Sequence, residues 1–391
     1  MPPPFVTPNT DACPNRTAPP PAIDTSEKPA PGTSEPKPLP VPKPPIGGER
    51  MGECGVVLPE GAPPLPADLS ATGWLIADLD TGRVLAAKDP HGRYRPASTI
   101  KVLLATIALR KLDMNKEVTG TEEDSNADGT RVGIGLGGRY TNYQLMQALL
   151  MCSGNDAAHA IAVQLGGEQD TVDKMNDLAK QLQAKDTRAA TPSGLDGPGM
   201  STSPYDLATI FREAMTIPTF AELIGTEQAD FPGFPANPRI PGDQDHPGFP
   251  ISNDNPLLVE YDGNLGGKNG FTDDSRQTFV TAAERNGHRL AVTLLHADVL
   301  PIRPPQQAAR LLDYGFALPG DASVGTLPTQ GADASNPNVA LASPPPHEDD
   351  AQHSDHGHRS DSLLTVLVVG GLAAVLVLAC AAWALTGRFR R

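Results

Sequence analysis

The sequence predicts an α+β domain over residues 67–318, with an antiparallel sheet built from N- and C-terminal strands and a helical subdomain between. Three observations predict it. Strand-like apolar runs stand at both ends, Gly73–Leu79 and Arg83–Ala87 early, Thr278–Glu284 and Arg289–Ala297 late. Apolar residues at helical spacing fill the middle. Segments of very different composition bound the domain, with 16 of the 42 prolines in the first 50 residues.

Residues 1–66 are rich in Pro, Ala, Thr and Glu and poor in apolar residues, so they read as a disordered, polyproline-like head. Cys13 and Cys54 flank it; a disulfide tethering the head and two free thiols are both open readings. Asp80-Thr81-Gly82 turns the first strand into the second. Ser98–Leu112 is helical, with Ile100, Leu103, Leu104, Ile107 and Leu112 on one repeat. Helices are also expected over Asn142–Met151, Asp156–Leu165, Val172–Gln183 and Pro204–Met215. The Pro- and Gly-rich stretch 230–257 reads as a long ordered loop, and Leu265–Thr272 as a strand. Arg285-Asn286-Gly287-His288 suits a tight hairpin turn between the last two strands. A helix over Pro305–Phe316 closes the domain.

Residues 319–362 form an acidic linker containing His347, His353, His356 and His358. It reads as a solvated stalk rather than a metal site, because nothing there would pre-organise ligands. Residues 363–385 hold 23 residues without a charge. At ~1.5 Å per residue they suffice for the ~30 Å hydrocarbon core. Trp383 suits the interface, and Arg388, Arg390 and Arg391 in the tail 386–391 place that end in the cytoplasm. The expected partner there is the membrane, with the domain 67–318 outside it. That topology calls for an export signal, and Met1-Pro2-Pro3-Pro4 opens without a basic or apolar leader region. The formal charge of −15 excludes nucleic acid as the expected partner.

Three short motifs fall in order through the domain. In Ser98-Thr99-Ile100-Lys101, Ser and Lys share one helix face behind Pro96. A serine hydroxyl needs a base in hydrogen-bond reach, and a desolvated lysine supplies one. The pattern alone is weak, since about one S-x-x-K is expected in a chain of this size. Ser34-Glu35-Pro36-Lys37 also fits, but Pro36 forbids a regular helix there. Ser153-Gly154-Asn155, followed by Asp156, sits between two helical runs. Lys268-Asn269-Gly270 lies in the strand Leu265–Thr272, where Gly270 would let a ligand backbone lie close.

In this order the motifs resemble the S-x-x-K, S-x-N and K-T-G set of the penicillin-binding protein/β-lactamase-like fold. Leu145–Ala158, Thr191–Asp196, Ser201–Ser203 and Asp206–Ala208 resemble the D-alanyl-D-alanine carboxypeptidase branch, and the resemblance covers about residues 70–318. It implies a serine D,D-carboxypeptidase acting on peptidoglycan stem peptides, with β-lactam antibiotics as covalent inhibitors and no metal, nucleotide or flavin cofactor. Ser98 would be the acylated nucleophile and Lys101 its base. Ser153 would relay a proton to the leaving D-alanine. Asn155 would bond the substrate carbonyl or Lys101, and Lys268 would hold the network and the substrate carboxylate. The N–H groups of Ser98 and Phe271 would form the oxyanion hole. Asn269 stands where the family usually has Thr, and Thr272 offers a second hydroxyl nearby. The alternatives are a β-lactamase, a D,D-endopeptidase and a silent penicillin-binding regulator. One major β-lactamase class activates water with a Glu-x-x-x-Asn element, and none is expected between Ser153 and Lys268.

Overall fold

The computed structural model describes residues 6–329. The rest of the expected stalk, the apolar run 363–385 and the tail 386–391 lie outside the described residues. Among the described residues no helix is long and apolar enough to cross a membrane.

After a 3-10 turn at Glu49–Gly52, the chain forms strands β1 (Val56–Val57), β2 (Gly73–Asp78) and β3 (Arg83–Lys88). Helix α1 (Lys101–Lys111) leads to β4 (Glu117–Thr119), α2 (Glu122–Ser125), β5 (Arg139–Thr141) and α3 (Asn142–Met151). Helices α4 (Asn155–Gln164), α5 (Glu168–Gln181), α6 (Pro204–Ala214) and α7 (Pro218–Gly225) follow. The chain returns through β6 (Gln228–Phe231), β7 (Phe249–Ser252) and α8 (Leu257–Glu260) to β8 (Asn264–Thr272), β9 (Arg276–Arg285) and β10 (His288–Ala297). It closes with α9 (Pro304–Ala317) and β11 (Gly325–Thr326).

The main sheet has the order β1-β3-β2-β10-β9-β8, every pairing antiparallel, with β11 also pairing β3. The predicted α+β architecture is therefore present, with early and late strands in one sheet. Strand β2 is buried along its whole length. Trp74 and Ile76 pack with Leu311 and Leu312 of α9, while Leu75 and Ala77 pack with Tyr205 and Ala208 of α6. Alternate residues thus feed two cores, and a strand covered on both faces reads as a continuous apolar run. Between β9 and β10, Asn286 and Gly287 both take positive φ, 52° and 78°, the geometry that a two-residue turn of this hand requires.

The helical subdomain is built around α1, whose residues Lys101–Ala108 are all buried. Leu103, Leu104 and Ile107 share a cluster with Leu145, Leu149, Met175, Leu207, Phe211 and Leu223 from the surrounding helices. A helix segment covered on all sides needs no polar face; Lys101 and Thr106 are the polar residues it carries inward, and Arg110 and Lys111 are exposed at its end.

Several boundaries differ from the sequence expectation. The S-x-x-K segment opens with a 3-10 turn, Ala97–Ile100, and the α-helix starts only at Lys101. The stretch 230–257 is not simply a loop. Strands β6 and β7 pair across it, and Phe234 stacks on His246 with ring centroids 4.2 Å apart. Pro232, Pro235 and Pro250 hid this pairing, since proline masks a strand signal even on an isolated ribbon where it is tolerated. The domain runs past 318, because β11 pairs with β3 and Leu327 is buried.

The largest correction concerns the head, which is irregular but not detached. Cys13 and Cys54 are joined in a disulfide, and β1 adds to the main sheet beside β3. Buried Arg93 donates to Thr17 O at 2.9 Å, Leu39 O at 2.6 Å and Pro40 O at 2.9 Å. His91 bridges Asp186 at 2.7 Å and Ile46 O at 3.0 Å. Proline brings a carbonyl without an N–H, so a Pro-rich segment carries surplus acceptors. Arginines of the domain use them, and buried guanidiniums require such partners.

Candidate active site

Ser98 sits at the mouth of α1, half-buried, on a turn that its neighbours hold tightly. Ala97 takes φ 48°, a left-handed conformation uncommon without glycine. The hydroxyls of Thr99 and Thr278 both donate to Pro96 O, at 2.6 and 2.8 Å. Strand β8 presses on the turn at Gly270, where a Cβ would stand 2.7 Å from Ser98 N. Gly194 presses from the other side, where a Cβ would meet Ala97 O at 2.1 Å. The sequence predicts a ligand backbone at Gly270, whereas the close approach in the structure is made by the Ser98 turn. The missing side chain of Gly270 admits the backbone of Ser98.

Lys101 is fully buried. Its Nζ lies 2.8 Å from Ser98 Oγ, 2.7 Å from Asn155 Oδ1 and 2.6 Å from Ser193 O. A neutral amine has two N–H groups and one lone pair. The two oxygens that can only accept take the protons, which leaves the lone pair facing the Ser98 hydroxyl. Burial drives the amine well below the ordinary lysine range, the nearby Lys268 charge pushes the same way, and Asp156 opposes both.

Asn155 opens α4, with its Nδ2 donating to Asp128 O at 2.6 Å and its N–H to Thr130 O at 2.7 Å. Ser153 stands just before it at φ 61°, buried where α3 gives way to α4. Lys268 is buried on β8 and donates to both Asn269 O and Asn269 Oδ1 at 2.9 Å. Burial pushes its amine down to about 8, against the pull of Asp254 and Cys152. Asn269 therefore spends its amide oxygen on Lys268 and keeps its NH2 group free of that contact. Phe271 is exposed on β8, which is the sheet edge, so part of its backbone faces away from β9. Thr272 is drawn into the β8–β9 turn, where Ser275 N donates to its hydroxyl at 2.9 Å.

Two participants were not foreseen. The Ser193 carbonyl comes from the Thr191–Asp196 run, which carried a resemblance but no role. Asp156 is fully buried and accepts from Val132 N at 3.1 Å, Gly133 N at 2.8 Å and Ile134 N at 3.0 Å. It pins the loop that supplies Asp128 O to Asn155. Its place in the first turn of α4, where a helix favours an acid, was the available signal. A Glu-x-x-x-Asn spacing does occur, Glu260 to Asn264, contrary to the sequence expectation. Glu260 is exposed, and Asn264 bonds Thr281, Ala282, Gly266 and Asn255, so neither approaches the Lys101 cluster by a hydrogen bond.

The arrangement can perform acyl transfer, with a serine nucleophile, an amine base and an edge strand for an extended ligand. A family model described as D-alanyl-D-alanine carboxypeptidase matches residues 60–299. D-alanyl-D-alanine carboxypeptidase DacB2 of Mycobacterium tuberculosis is 46% identical over 275 residues, 69% of this chain and 90% of that protein. A crystal structure of a D-alanyl-D-alanine carboxypeptidase from the same organism aligns with a TM-score of 0.64 at 44% identity, covering 69% of this chain and all of that one. The Streptomyces K15 DD-transpeptidase aligns with a TM-score of 0.60 at 26% identity, covering 66% and 100%.

Asp156→Asn replaces a buried carboxylate bonded to three loop N–H groups with a weaker acceptor. The expected cost is about 2–3 kcal/mol, read as a lower urea midpoint at unchanged m value. Wild-type stability in this variant would remove Asp156 from its pinning role.

Proposed function

The chain belongs to the D-alanyl-D-alanine carboxypeptidase family, and from that premise we propose how its residues remove the terminal D-alanine of a peptidoglycan stem peptide. It is a serine D,D-carboxypeptidase with a penicillin-binding fold. The observation that carries the residue roles is the buried Lys101 amine set 2.8 Å from Ser98 Oγ.

Ser98 Oγ attacks the carbonyl carbon of the penultimate D-alanine as its proton passes to Lys101 Nζ. The N–H groups of Ser98 and Phe271 meet the oxyanion. Collapse breaks the peptide bond, and the departing amine takes the proton through Ser153. Lys268, with the Asn269 amide beside it, holds the substrate's terminal carboxylate. Asn155 keeps Lys101 in line. Water then attacks the acyl-enzyme and gives a proton to Lys101, which passes it to Ser98 Oγ as the ester C–O bond breaks and the shortened peptide leaves. A β-lactam follows the first half of this route, but its leaving nitrogen stays tethered.

Intact mass spectrometry after penicillin treatment tests this directly. One adduct is expected, on Ser98, persisting for minutes. Ser98→Ala abolishes it and Lys101→Ala slows it by several orders of magnitude. Turnover within seconds would instead favour a β-lactamase, and an adduct elsewhere would overturn the assignment of Ser98.

The pH profile of acylation follows from the two amines. The rate rises as Lys101 loses its proton, well below the usual lysine range, and falls near pH 8 as Lys268 loses its own. Lys268→Arg keeps the charge and moves the alkaline limb upward while the acid limb stays. An alkaline limb unmoved in that variant would detach it from Lys268.

The uncharged run 363–385 and its basic tail support anchoring of the full chain, with the catalytic domain outside the membrane. Full-length protein should resist carbonate extraction from membranes, and a chain ending at residue 362 should not. Full-length protein in the wash would refute the anchor.

A further inference from the structure

We propose that the Pro-rich head is a working part of the catalytic machinery, in which residues Asn15–Glu27 clamp the segment that presents Ser98, with Glu27 and Arg95 as positioning residues for acylation. The inference rests on the reading of Ser98 as the nucleophile. Its head residues, Asn15–Glu27, precede the family match, which begins at residue 60.

Three consecutive residues, Arg93, Tyr94 and Arg95, lead into Pro96-Ala97-Ser98, and each is bonded to the head. Arg93 N–H donates to Asn15 O at 2.8 Å, in addition to its guanidinium bonds to head carbonyls. Asn15 Nδ2 donates to Tyr94 Oη at 3.2 Å. Arg95 donates to Pro20 O at 2.8 Å and to Glu27 Oε2 at 2.7 Å, and its Nε meets the second Glu27 oxygen. All three residues are buried. The same stretch also grips the other wall of the site. Ile23 N–H donates at 2.6 Å to Asp274 Oδ1, in the turn that joins β8 to β9. One segment of the head therefore ties the approach to Ser98 to the hairpin that carries Lys268 and Gly270. The Cys13–Cys54 disulfide fixes the start of that segment.

The strain at Ala97 gives the clamp something to do. A non-glycine residue at φ 48° persists only where its surroundings hold it. Arg95 stands two residues before Ala97 and is anchored by the Glu27 carboxylate. A planar guanidinium held in two-point contact fixes direction as well as distance. Loosening it lets the Ser98 turn drift, and a shift of about 1 Å in a reacting atom can cost about 100-fold in rate.

The test uses the full-length, oxidised chain and a fluorescent penicillin. Acylation rate, decay of the adduct and Tm are measured for wild type, Glu27→Gln, Glu27→Asp and the Cys13→Ser/Cys54→Ser pair. Expected for Glu27→Gln is acylation slower by roughly ten-fold or more, adduct decay slowed in step, and a pH profile unmoved because Lys101 is untouched. Glu27→Asp keeps the charge and should recover part of the rate, and the cysteine pair should fall in the same direction. Rates are compared at a temperature where circular dichroism matches wild type. Wild-type acylation in both Glu27→Gln and the cysteine pair, even with a lower Tm, would make the head a mere brace and overturn the proposal. Failure of the wild-type chain to form any adduct on Ser98 would instead strike at the nucleophile itself.

Discussion

The buried amine of Lys101 is the interaction on which the rest of the site depends. Its three neighbours come from three stretches of chain: Ser98 from its own turn, Asn155 from α4 and Ser193 from the loop before α6. None of the three is a carboxylate, so neutral oxygens surround the amine and only the Asp156 charge works against the loss of hydration that its charged form would suffer. Each unit of pKa lowering represents about 1.4 kcal/mol between the two protonation states. A burial that would penalise an ordinary lysine here selects the neutral form that can act as a base. Lys268 reinforces the choice, because its charge pushes the Lys101 amine the same way as burial does.

That constraint propagates outward through a chain of accepted hydrogen bonds. Asn155 can aim its oxygen at Lys101 because its nitrogen is spent on Asp128 O. Asp128 lies in a loop held by Asp156, the residue next to Asn155. The Ser98 turn is held in a similar way, by two threonine hydroxyls on one proline carbonyl and by two glycines that allow close backbone approach. Placement relies on many small contacts that leave few alternative arrangements.

Much of this was legible in the sequence, and the exceptions have physical reasons. The hairpin at Asn286-Gly287 carried its own turn chemistry, β2 announced itself as an apolar run, and α1 by apolar residues at helical spacing. Ser98 was separated from Ser34 because Pro36 excludes a helix, and Ser34 indeed lies in irregular chain. The head misled because composition reports what a segment lacks, namely apolar residues for a core of its own. It does not report surplus carbonyls that a neighbouring domain's arginines can use. Asp156 was passed over for a related reason. Its partners are backbone N–H groups of a loop, which leave no trace in side-chain patterns. Thr272 looked available by residue type, whereas the turn it occupies claims its hydroxyl.

The pairing of both β1 and β11 with β3 sets where the domain is loaded. Strand β3 lies near one edge of the sheet and β8 is the other. Downstream of β11 the chain departs from that far edge, after Leu327 N–H has donated to Gly82 O at 2.7 Å and Tyr205 has capped Thr326 O at 2.6 Å. Tension arriving through the C-terminal segment would meet the short β11 ladder first. That ladder is two residue pairs long, so it can yield before the rest of the sheet, and Thr326 N–H, which donates to Gly47 O at 3.0 Å, links it to the head.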